Sequence, residues 1–250
     1  MTRQEYLNEL METYQLIGVP VNKEDHVIYR LRHRTLGRDI IVRSYACPMP
    51  IYEALVTVRT PYLPEVYDAI ALDDGTVVLE EFIDGITVAE LADAQRYREA
   101  EAFKVVKTVC RALSVLHGMN IVHRDIKPEN IMVDAAGRIV LIDLDTARRV
   151  SAKSQDTVVM GTVGYASPEQ MGLTQTDART DIYAVGVLLN VLLTGKHPSD
   201  RLVGGKAGRI VRKCTQINPD DRYQTADKLA AALYVKKCQA ASHPTRRLFC

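Results

Sequence analysis

Apolar residues recur along the chain with the period of a helix in some stretches. Between residues 102 and 117 they recur every three or four positions and stop at Gly118, which predicts a helix with one buried face. Residues 1–13 repeat this period over fewer turns and predict a short leader helix. The most apolar run, residues 182–193, is interrupted by Asn190 and is too short to cross a bilayer, so it predicts a buried helix.

Shorter apolar runs between turn residues predict strands. Residues 66–72 and 76–80 flank an Asp-Asp-Gly sequence, which favours a hairpin turn. Residues 131–133 and 139–142 predict a second hairpin. Because a hairpin returns the chain to its starting point, we expect Asp143 to lie beside the residues that precede the hairpin.

Composition narrows the class of protein without indicating a function. Of the 250 residues, 47% are apolar and 25% are charged, as in soluble globular proteins of one or two domains. A net charge of +1 argues against a nucleic-acid-binding surface. The five cysteines are scattered, so neither a disulfide framework nor a zinc site is indicated, and a reducing cytoplasm is expected. No signal peptide or membrane anchor is predicted, and residues 239–250 predict a loosely ordered basic tail.

The stretch with the clearest chemistry is Ile-Val-His-Arg-Asp-Ile-Lys-Pro-Glu-Asn at residues 121–130. It matches H-R-D-x-K-x-x-N, the catalytic loop of serine/threonine protein kinases, and residues 14–235 resemble that family. The resemblance implies that Asp125 is the base, Lys127 the cation on the γ-phosphate and Asn130 a Mg²⁺ ligand. A charged surface turn is the alternative, which the helix before the loop and the hairpin after it disfavour.

Two further stretches resemble the same family. Asp143-Leu144-Asp145 stands where the family has Asp-Phe-Gly, which implies that Asp143 is a second Mg²⁺ ligand. Asp145 replaces a glycine, and its carboxylate would either bind metal or repel phosphate. Residues 161–169 resemble the end of the activation segment, in which Thr162 is expected to contact the catalytic aspartate and lysine, as in kinases specific for serine and threonine.

The resemblance also implies supporting and regulatory residues. Asp181 is expected to hold the catalytic-loop backbone, and Arg222 is expected to pair with Glu169. Arg124 resembles the residue that receives a phosphorylated activation segment. The candidate phosphorylation sites, each equally consistent with an exposed loop hydroxyl, are Ser151, Ser154 and Thr157.

The amino-terminal part resembles the small lobe of a kinase, with strands at residues 14–17, 27–33 and 40–43. Arg43 stands where the family has the lysine that grips the α- and β-phosphates, and an Arg43–Glu53 ion pair is predicted. The residues expected around the nucleotide are Val27, Arg43, Glu53, Met132 and the hinge residues Glu81 and Ile83.

Several residues of this lobe depart from the family pattern. The three glycines of the phosphate loop are replaced, by position, with Pro20, Asn22 and Asp25, so the loop should hold nucleotide less well. Lys23 in the same loop could contact phosphate, although a solvated lysine is the commoner case. Ile41 replaces a small alanine and should narrow the adenine slot.

Glu80 falls at the gatekeeper position, an unusual place for a carboxylate. It should lie near Arg43, and a charge placed there needs a partner. We therefore hypothesise that Arg43 is shared between Glu53 and Glu80.

The sequence as a whole predicts an α+β, two-lobed protein-kinase-like fold, with a leader helix at 1–13, an amino-terminal lobe at 14–83, a carboxy-terminal lobe at 84–238 and a tail at 239–250. The predicted function is transfer of the γ-phosphoryl of ATP, with Mg²⁺, to serine or threonine of a protein substrate. The alternative is a pseudokinase, a regulatory or binding module with weak or no transfer, which the altered small lobe favours. A small-molecule kinase is disfavoured by Lys127. Neither nucleic acid nor membrane is an expected partner, and a regulatory protein partner is left open.

Overall fold

The computed structural model describes residues 1–94, 96–150, 162, 164–171 and 175–234. The candidate phosphorylation sites Ser151, Ser154 and Thr157 and the predicted tail lie outside the described residues. None of the helices in these ranges is long and apolar enough to cross a membrane.

The small lobe is an antiparallel sheet with two helices. In chain order its elements are α1 (Arg3–Thr13), β1 (Tyr14–Asn22), β2 (His26–His33), β3 (Asp39–Tyr45), α2 (Pro50–Leu55), β4 (Val66–Leu72) and β5 (Gly75–Glu81). The strands lie in the order β1-β2-β3-β5-β4, and every neighbouring pair is antiparallel.

One face of this sheet is covered by α1. Thr2 and Glu5 form a capping box that starts the helix, which then places Leu7 on the sheet. Because side chains alternate between the faces of a strand, the buried residues beneath α1 come from alternate positions. They are Leu31, Ile40, Val42 and Val77.

The opposite face of the sheet points toward the large lobe and carries polar groups. Arg43 lies opposite Ile28 on β2 and Val78 on β5, and Tyr45 lies opposite His26. Both Arg43 and Tyr45 are buried. The sheet therefore supplies an apolar layer under α1 and a polar layer at the cleft between the lobes.

The large lobe is mainly helical. Its helices are α3 (Val88–Ala94), α4 (Glu99–Gly118), α5 (Ala178–Thr194), α6 (Gly205–Cys214) and α7 (Ala226–Ala232), and its strands are β6 (Gly85–Thr87), β7 (Ile121–Val122), β8 (Ile131–Asp134), β9 (Ile139–Leu141) and β10 (Arg148–Arg149). The helix predicted at 102–117 lies within α4, whose apolar stripe packs against α5 in the main core. The predicted two-lobed α+β fold is confirmed.

Candidate active site

The predicted catalytic loop follows β7 and is held by a buried carboxylate from α5. The N-cap residue Asp177 starts α5 and puts Asp181 in its first turn. Asp181 accepts hydrogen bonds from the backbone N–H groups of His123 (3.0 Å) and Arg124 (2.8 Å), and its Oδ2 lies 2.8 Å from Nε2 of His117. Burial alone would raise the pKa of Asp181, but these contacts lower it below its ordinary value.

Hydrogen bonds on both sides of Arg124 fix an unusual backbone conformation. Its φ of 71° lies in the left-handed region, which is costly for a residue with a side chain. Its N–H is held by Asp181, and its carbonyl accepts a hydrogen bond from Nε2 of Gln170 at 2.8 Å. The surrounding contacts thus maintain a strained peptide directly before Asp125.

Asp125 is the centre of a cluster of four side chains. Its Oδ1 accepts a hydrogen bond from Thr162 Oγ1 at 2.6 Å, and its Oδ2 accepts one from Asn130 Nδ2 at 2.9 Å. Lys127 Nζ lies 2.6 Å from the same Oδ2 and donates to Thr162 Oγ1 at 3.0 Å. The structure therefore brings together four of the predicted site residues, three from the catalytic loop and Thr162 from the segment before α5.

These donors set the charge of Asp125. Its partial burial acts to raise the pKa of the carboxyl, but hydrogen bonds from Lys127 and Thr162 outweigh that effect and lower the pKa. Asp125 is therefore an ionised acceptor at neutral pH. A hydroxyl brought to it would find a carboxylate whose orientation is already fixed.

Asp143 lies beside this cluster. The N–H of Ile142 donates to the carbonyl of Asn130 at 2.9 Å, and Asp143 follows with a left-handed φ of 68°. One third of the Asp143 side chain is exposed (33%). The amide nitrogen of Asn130 is committed to Asp125, so its amide oxygen is the group left for a ligand. One carboxylate and one amide oxygen fit Mg²⁺, which takes few protein oxygens and completes its shell with phosphates.

Arg43 is paired, but not with the predicted partner. Its Nε donates to Glu80 at 2.6 Å, and its Nη1 lies 3.5 Å from Asp143. The predicted pair with Glu53 is wrong, because α2 buries Tyr52 and leaves Glu53 exposed. The Arg43–Glu80 half of the sharing hypothesis is present in the structure. Burial raises the pKa of Glu80, although Arg43 opposes that change.

Asp145 completes the surroundings of Arg43. Its Oδ1 accepts hydrogen bonds from Tyr45 Oη at 2.5 Å and from Arg43 Nη1 at 3.3 Å, and its Oδ2 lies 3.2 Å from His26 Nε2. Burial and the neighbouring charge of Asp143 raise the pKa of this carboxyl. The Asp145 side chain thus points toward the small lobe. The two roles expected for it, binding metal or repelling phosphate, did not predict this orientation.

The predicted hinge residues lie between the lobes. The side chain of Glu81 is held by Arg138, with Nη2 at 2.5 Å from Oε1, and its N–H donates to the carbonyl of Glu65 at 2.8 Å. Ile83 is buried, and Met132 is half-buried on β8. Their expected contact with adenine remains a prediction.

The prediction for Val27 is wrong by one position. Val27 lies opposite Ser44, on the face covered by α1, while Ile28 lies opposite Arg43 at the cleft. A shift of one residue along a strand reverses the face, so Ile28 and not Val27 lies on the cleft face of the sheet.

This chain is similar to a known protein family and to known proteins over most of its length. The family model for the protein kinase domain matches residues 52–247, more than three quarters of the chain. The chain belongs to the protein kinase family. The serine/threonine-protein kinase PknB of Mycobacterium tuberculosis (strain ATCC 25177 / H37Ra) is 28% identical over 93% of this chain and 44% of its own length. The probable serine/threonine-protein kinase PknB of Corynebacterium glutamicum is 33% identical over 72% of this chain and 34% of its own length.

This kinase domain therefore spans less than half the length of the curated relatives described here. The family match begins at Tyr52, after β1, β2 and β3. Arg43 and the phosphate loop thus lie before the matched region, in the part of the small lobe where the residues depart from the family pattern.

Sequence reasoning missed three residues of the site: His26, Tyr45 and Tyr52. The alternation of a strand could have indicated Tyr45, because it stands two positions after Arg43 and so shares its face. His26 lies opposite Tyr45, which only the strand register reveals. Tyr52 was overlooked beside Glu53, and its hydroxyl lies 3.1 Å from that of Tyr45.

The supporting residues lie as the resemblance implied. Arg222 is buried and forms two hydrogen bonds to Glu169, from Nη1 at 2.6 Å and from Nη2 at 2.9 Å. Thr180 Oγ1 donates to the same carboxylate at 3.0 Å. This network joins the segment before α5 to the loop before α7.

Proposed function

We propose that this kinase domain transfers the γ-phosphoryl group of ATP to a serine or threonine hydroxyl of a protein. The observation that carries the proposal is the cluster of Asp125, Lys127, Asn130 and Thr162, in which a cation and two hydrogen-bonding groups each lie 2.6–2.9 Å from the Asp125 carboxylate. Phosphoryl transfer depends on such positioning and on charge stabilisation more than on covalent chemistry by the protein.

Each residue of the cluster has a separate task in this proposal. Asp125 accepts the proton of the substrate hydroxyl while the hydroxyl oxygen bonds to the γ-phosphorus and the bond from that phosphorus to the β-phosphate oxygen breaks, which releases ADP. Thr162 and Asn130 hold the two oxygens of Asp125 in place. Lys127 lies beside this carboxylate, where its charge would stabilise the negative oxygens of the group being transferred.

Asn130 and Asp143 would hold Mg²⁺, which supplies charge neutralisation for the phosphates when bound. The charges nearby support this assignment. Arg43 is surrounded by Glu80, Asp143 and Asp145, so three carboxylates face one guanidinium. A divalent cation would offset the excess of negative charge.

The proposal extends to partners and to the extent of the lobes. The relatives named above support a protein substrate with ATP as donor, and the reduced cysteines Cys47, Cys110 and Cys214 suit a cytoplasmic compartment. Residues 14–83 and 84–238 are proposed as the two lobes. A regulatory protein partner would add to this activity without replacing it.

Incubation with Mg²⁺ and ATP, followed by mass spectrometry of the protein and of a generic serine/threonine substrate, tests the proposal. We expect phosphate incorporation by the wild type and a loss of about 10²–10⁴-fold in Asp125→Asn, which keeps the size of the side chain but removes its basicity. Asp68→Asn, an exposed aspartate on β4, is the matched control and should retain full activity.

A folded wild type that binds nucleotide but incorporates no phosphate would contradict the proposal and favour the pseudokinase. Equal incorporation by wild type and Asp125→Asn would contradict the assignment of Asp125 and indicate a contaminating kinase.

A further inference from the structure

Asp145 connects two parts of the chain that are distant in sequence. Its carboxylate is bonded to Arg43 and Tyr45, which lie 102 and 100 positions earlier, and it contacts His26 at the start of β2. All three partners project from the cleft face of the small-lobe sheet. Asp145 itself belongs to the large-lobe segment that carries Asp143.

We infer that Asp145 is a positioning residue that fastens the Asp143 segment to the small lobe and orients Arg43 for the bound nucleotide. The inference rests on the proposed function and deepens it, because it assigns to Asp145 the orienting task that the sequence had given to Glu53. It also accounts for an aspartate at a position where the family has glycine.

The geometry of Arg43 supports this assignment. The guanidinium is held at two points, with Nε on Glu80 at 2.6 Å and Nη1 on Asp145 at 3.3 Å. A planar fork of donors reaches two separate carboxylates from two different nitrogens, whereas a lysine would have to contact both from a single nitrogen. Arginine in place of lysine, Glu80 as gatekeeper and Asp145 in place of glycine are therefore interdependent departures from the family pattern.

Helix α2 reaches this network by a different route from the one predicted. Its Tyr52 is almost fully buried (1% exposed), and the Tyr52 hydroxyl lies 3.1 Å from that of Tyr45. Tyr45 in turn donates to Asp145. The helix thus acts on the Asp143 segment through two tyrosine hydroxyls, while Glu53 is exposed on the other side.

Asp145 also controls the surroundings of Asp143 directly. The N–H of Asp145 donates to Oδ1 of Asp143 at 3.3 Å, and only one residue, Leu144, separates them. Holding the Asp145 side chain on the small lobe therefore fixes the carboxylate of Asp143 with respect to Arg43. Without that hold, the left-handed peptide at Asp143 would lose one of the contacts that maintain it.

Three variants test the inference. Asp145→Gly restores the family residue and removes all three contacts, Asp145→Asn keeps an acceptor oxygen but removes the charge, and Tyr45→Phe removes one hydroxyl. Tyr29→Phe is the matched control, because Tyr29 lies opposite Val42 on the other face of the sheet.

The first measurement is hydrogen–deuterium exchange of the ligand-free protein. We expect faster exchange at residues 143–147 in Asp145→Gly and Tyr45→Phe, with no change in Tyr29→Phe. The second is binding of a fluorescent ATP analogue with Mg²⁺, where Asp145→Gly should bind about tenfold more weakly, as expected for a lost hydrogen bond to a charged group. In an assay of phosphate transfer, the KM of Asp145→Gly for ATP should rise by a larger factor than its kcat falls. Asp145→Asn should bind ATP more tightly than Asp145→Gly but more weakly than the wild type.

Exchange at residues 143–147 that is unchanged in both Asp145→Gly and Tyr45→Phe would overturn the inference, as would nucleotide binding by Asp145→Gly within twofold of the wild type. Failure of the proposed function can be distinguished from failure of the inference about Asp145. A wild type that transfers no phosphate contradicts the proposed function while the exchange experiment still decides the role of Asp145. If the wild type transfers phosphate and Asp145→Gly transfers it equally well, the result contradicts only the role of Asp145.

Discussion

Among the residues that the structure describes, the carboxylates at the catalytic loop and those around Arg43 stabilise their charge in different ways. At the catalytic loop, Asp125 and Asp181 each receive several hydrogen bonds, and the pKa of each is lowered although burial opposes that change. At Arg43, burial dominates, and the pKa values of Glu80 and Asp145 are raised. The carboxylates at the catalytic loop have several hydrogen-bond donors each. Around Arg43, three carboxylates share one guanidinium.

The catalytic loop and the surroundings of Arg43 therefore differ in how well their carboxylates are neutralised by the protein itself. Both carboxylate oxygens of Asp125 accept hydrogen bonds, and the loop around it follows the family pattern. The surroundings of Arg43 carry an excess of negative charge and depart from that pattern. Substitutions at the catalytic loop should therefore reduce stability strongly, and substitutions around Arg43 should affect stability less and nucleotide binding more.

The largest effect on stability is expected for Asp181→Ala. The change removes the acceptor for the N–H groups of His123 and Arg124 in a fully buried site, which should lower the free energy of unfolding by about 3–5 kcal/mol. Urea unfolding measures this loss, with the exposed residue Asp200 changed to alanine as the control. A loss below about 1 kcal/mol would show that water or a neighbouring group replaces the carboxylate, and the contrast between the clusters would fail.

A smaller loss, about 2 kcal/mol, is expected for Glu80→Met. Arg43 would lose its shortest contact, at 2.6 Å, but keep Asp143 and Asp145 nearby, so the buried charge is not left alone. Nucleotide affinity should fall as well, because Arg43 would no longer be held at two points. Glu80→Gln, which keeps an acceptor, should lose about half as much stability. If Glu80→Met changed neither unfolding nor nucleotide affinity, Arg43 would not depend on this carboxylate.

The catalytic cluster could be predicted from sequence because its residues are close together in the chain. Asp125, Lys127 and Asn130 lie within six positions, and the spacing between them carries the chemistry. The hairpin that returns Asp143 to the loop was also visible as two apolar runs. In this part of the molecule, local pattern and tertiary structure agree.

The Arg43 cluster could not be predicted in the same way, because strand register and lobe packing assemble it. Its members come from β2, β3, β5 and the segment after β9. A miscount of one residue put Val27 on the wrong face of the sheet. In the six-residue helix α2, adjacent residues point in directions about 100° apart, so alignment by spacing chose Glu53 where the structure buries Tyr52.

The pH dependence of the free energy of unfolding should be set mainly by buried carboxylates whose pKa is lowered in the folded protein. The pKa of Asp181 and that of Glu169 are lowered in the folded protein, so each contributes stability that is present above its unfolded pKa, about 4, and is lost as pH falls through the folded value. The raised pKa values of Glu80 and Asp145 act in the opposite sense. Urea unfolding between pH 7 and pH 3 should show a net loss, at most about 1.4 kcal/mol per pH unit for each group. In Asp181→Asn the loss with acid should be shallower than in the wild type, and an unchanged slope would contradict the assignment.

The smallest effect is expected for Glu53→Ala, and it tests the comparison most directly. Glu53 is exposed on α2, and the contacts of Arg43 are made by Glu80, Asp143 and Asp145. Unfolding free energy should therefore change by less than about 0.5 kcal/mol, as for most surface substitutions. Nucleotide affinity and phosphate transfer should also stay within twofold of the wild type.

Glu80→Met is the reference for this experiment, because both residues are carboxylates that the sequence placed near Arg43. If Glu53→Ala impaired transfer as strongly as Glu80→Met, α2 would have to turn so that Glu53 reaches Arg43 when nucleotide binds. The network through Tyr52, Tyr45 and Asp145 would then describe only the ligand-free protein. If Glu53→Ala is silent while Glu80→Met is impaired, the orientation of Arg43 depends on β5 rather than on the helix.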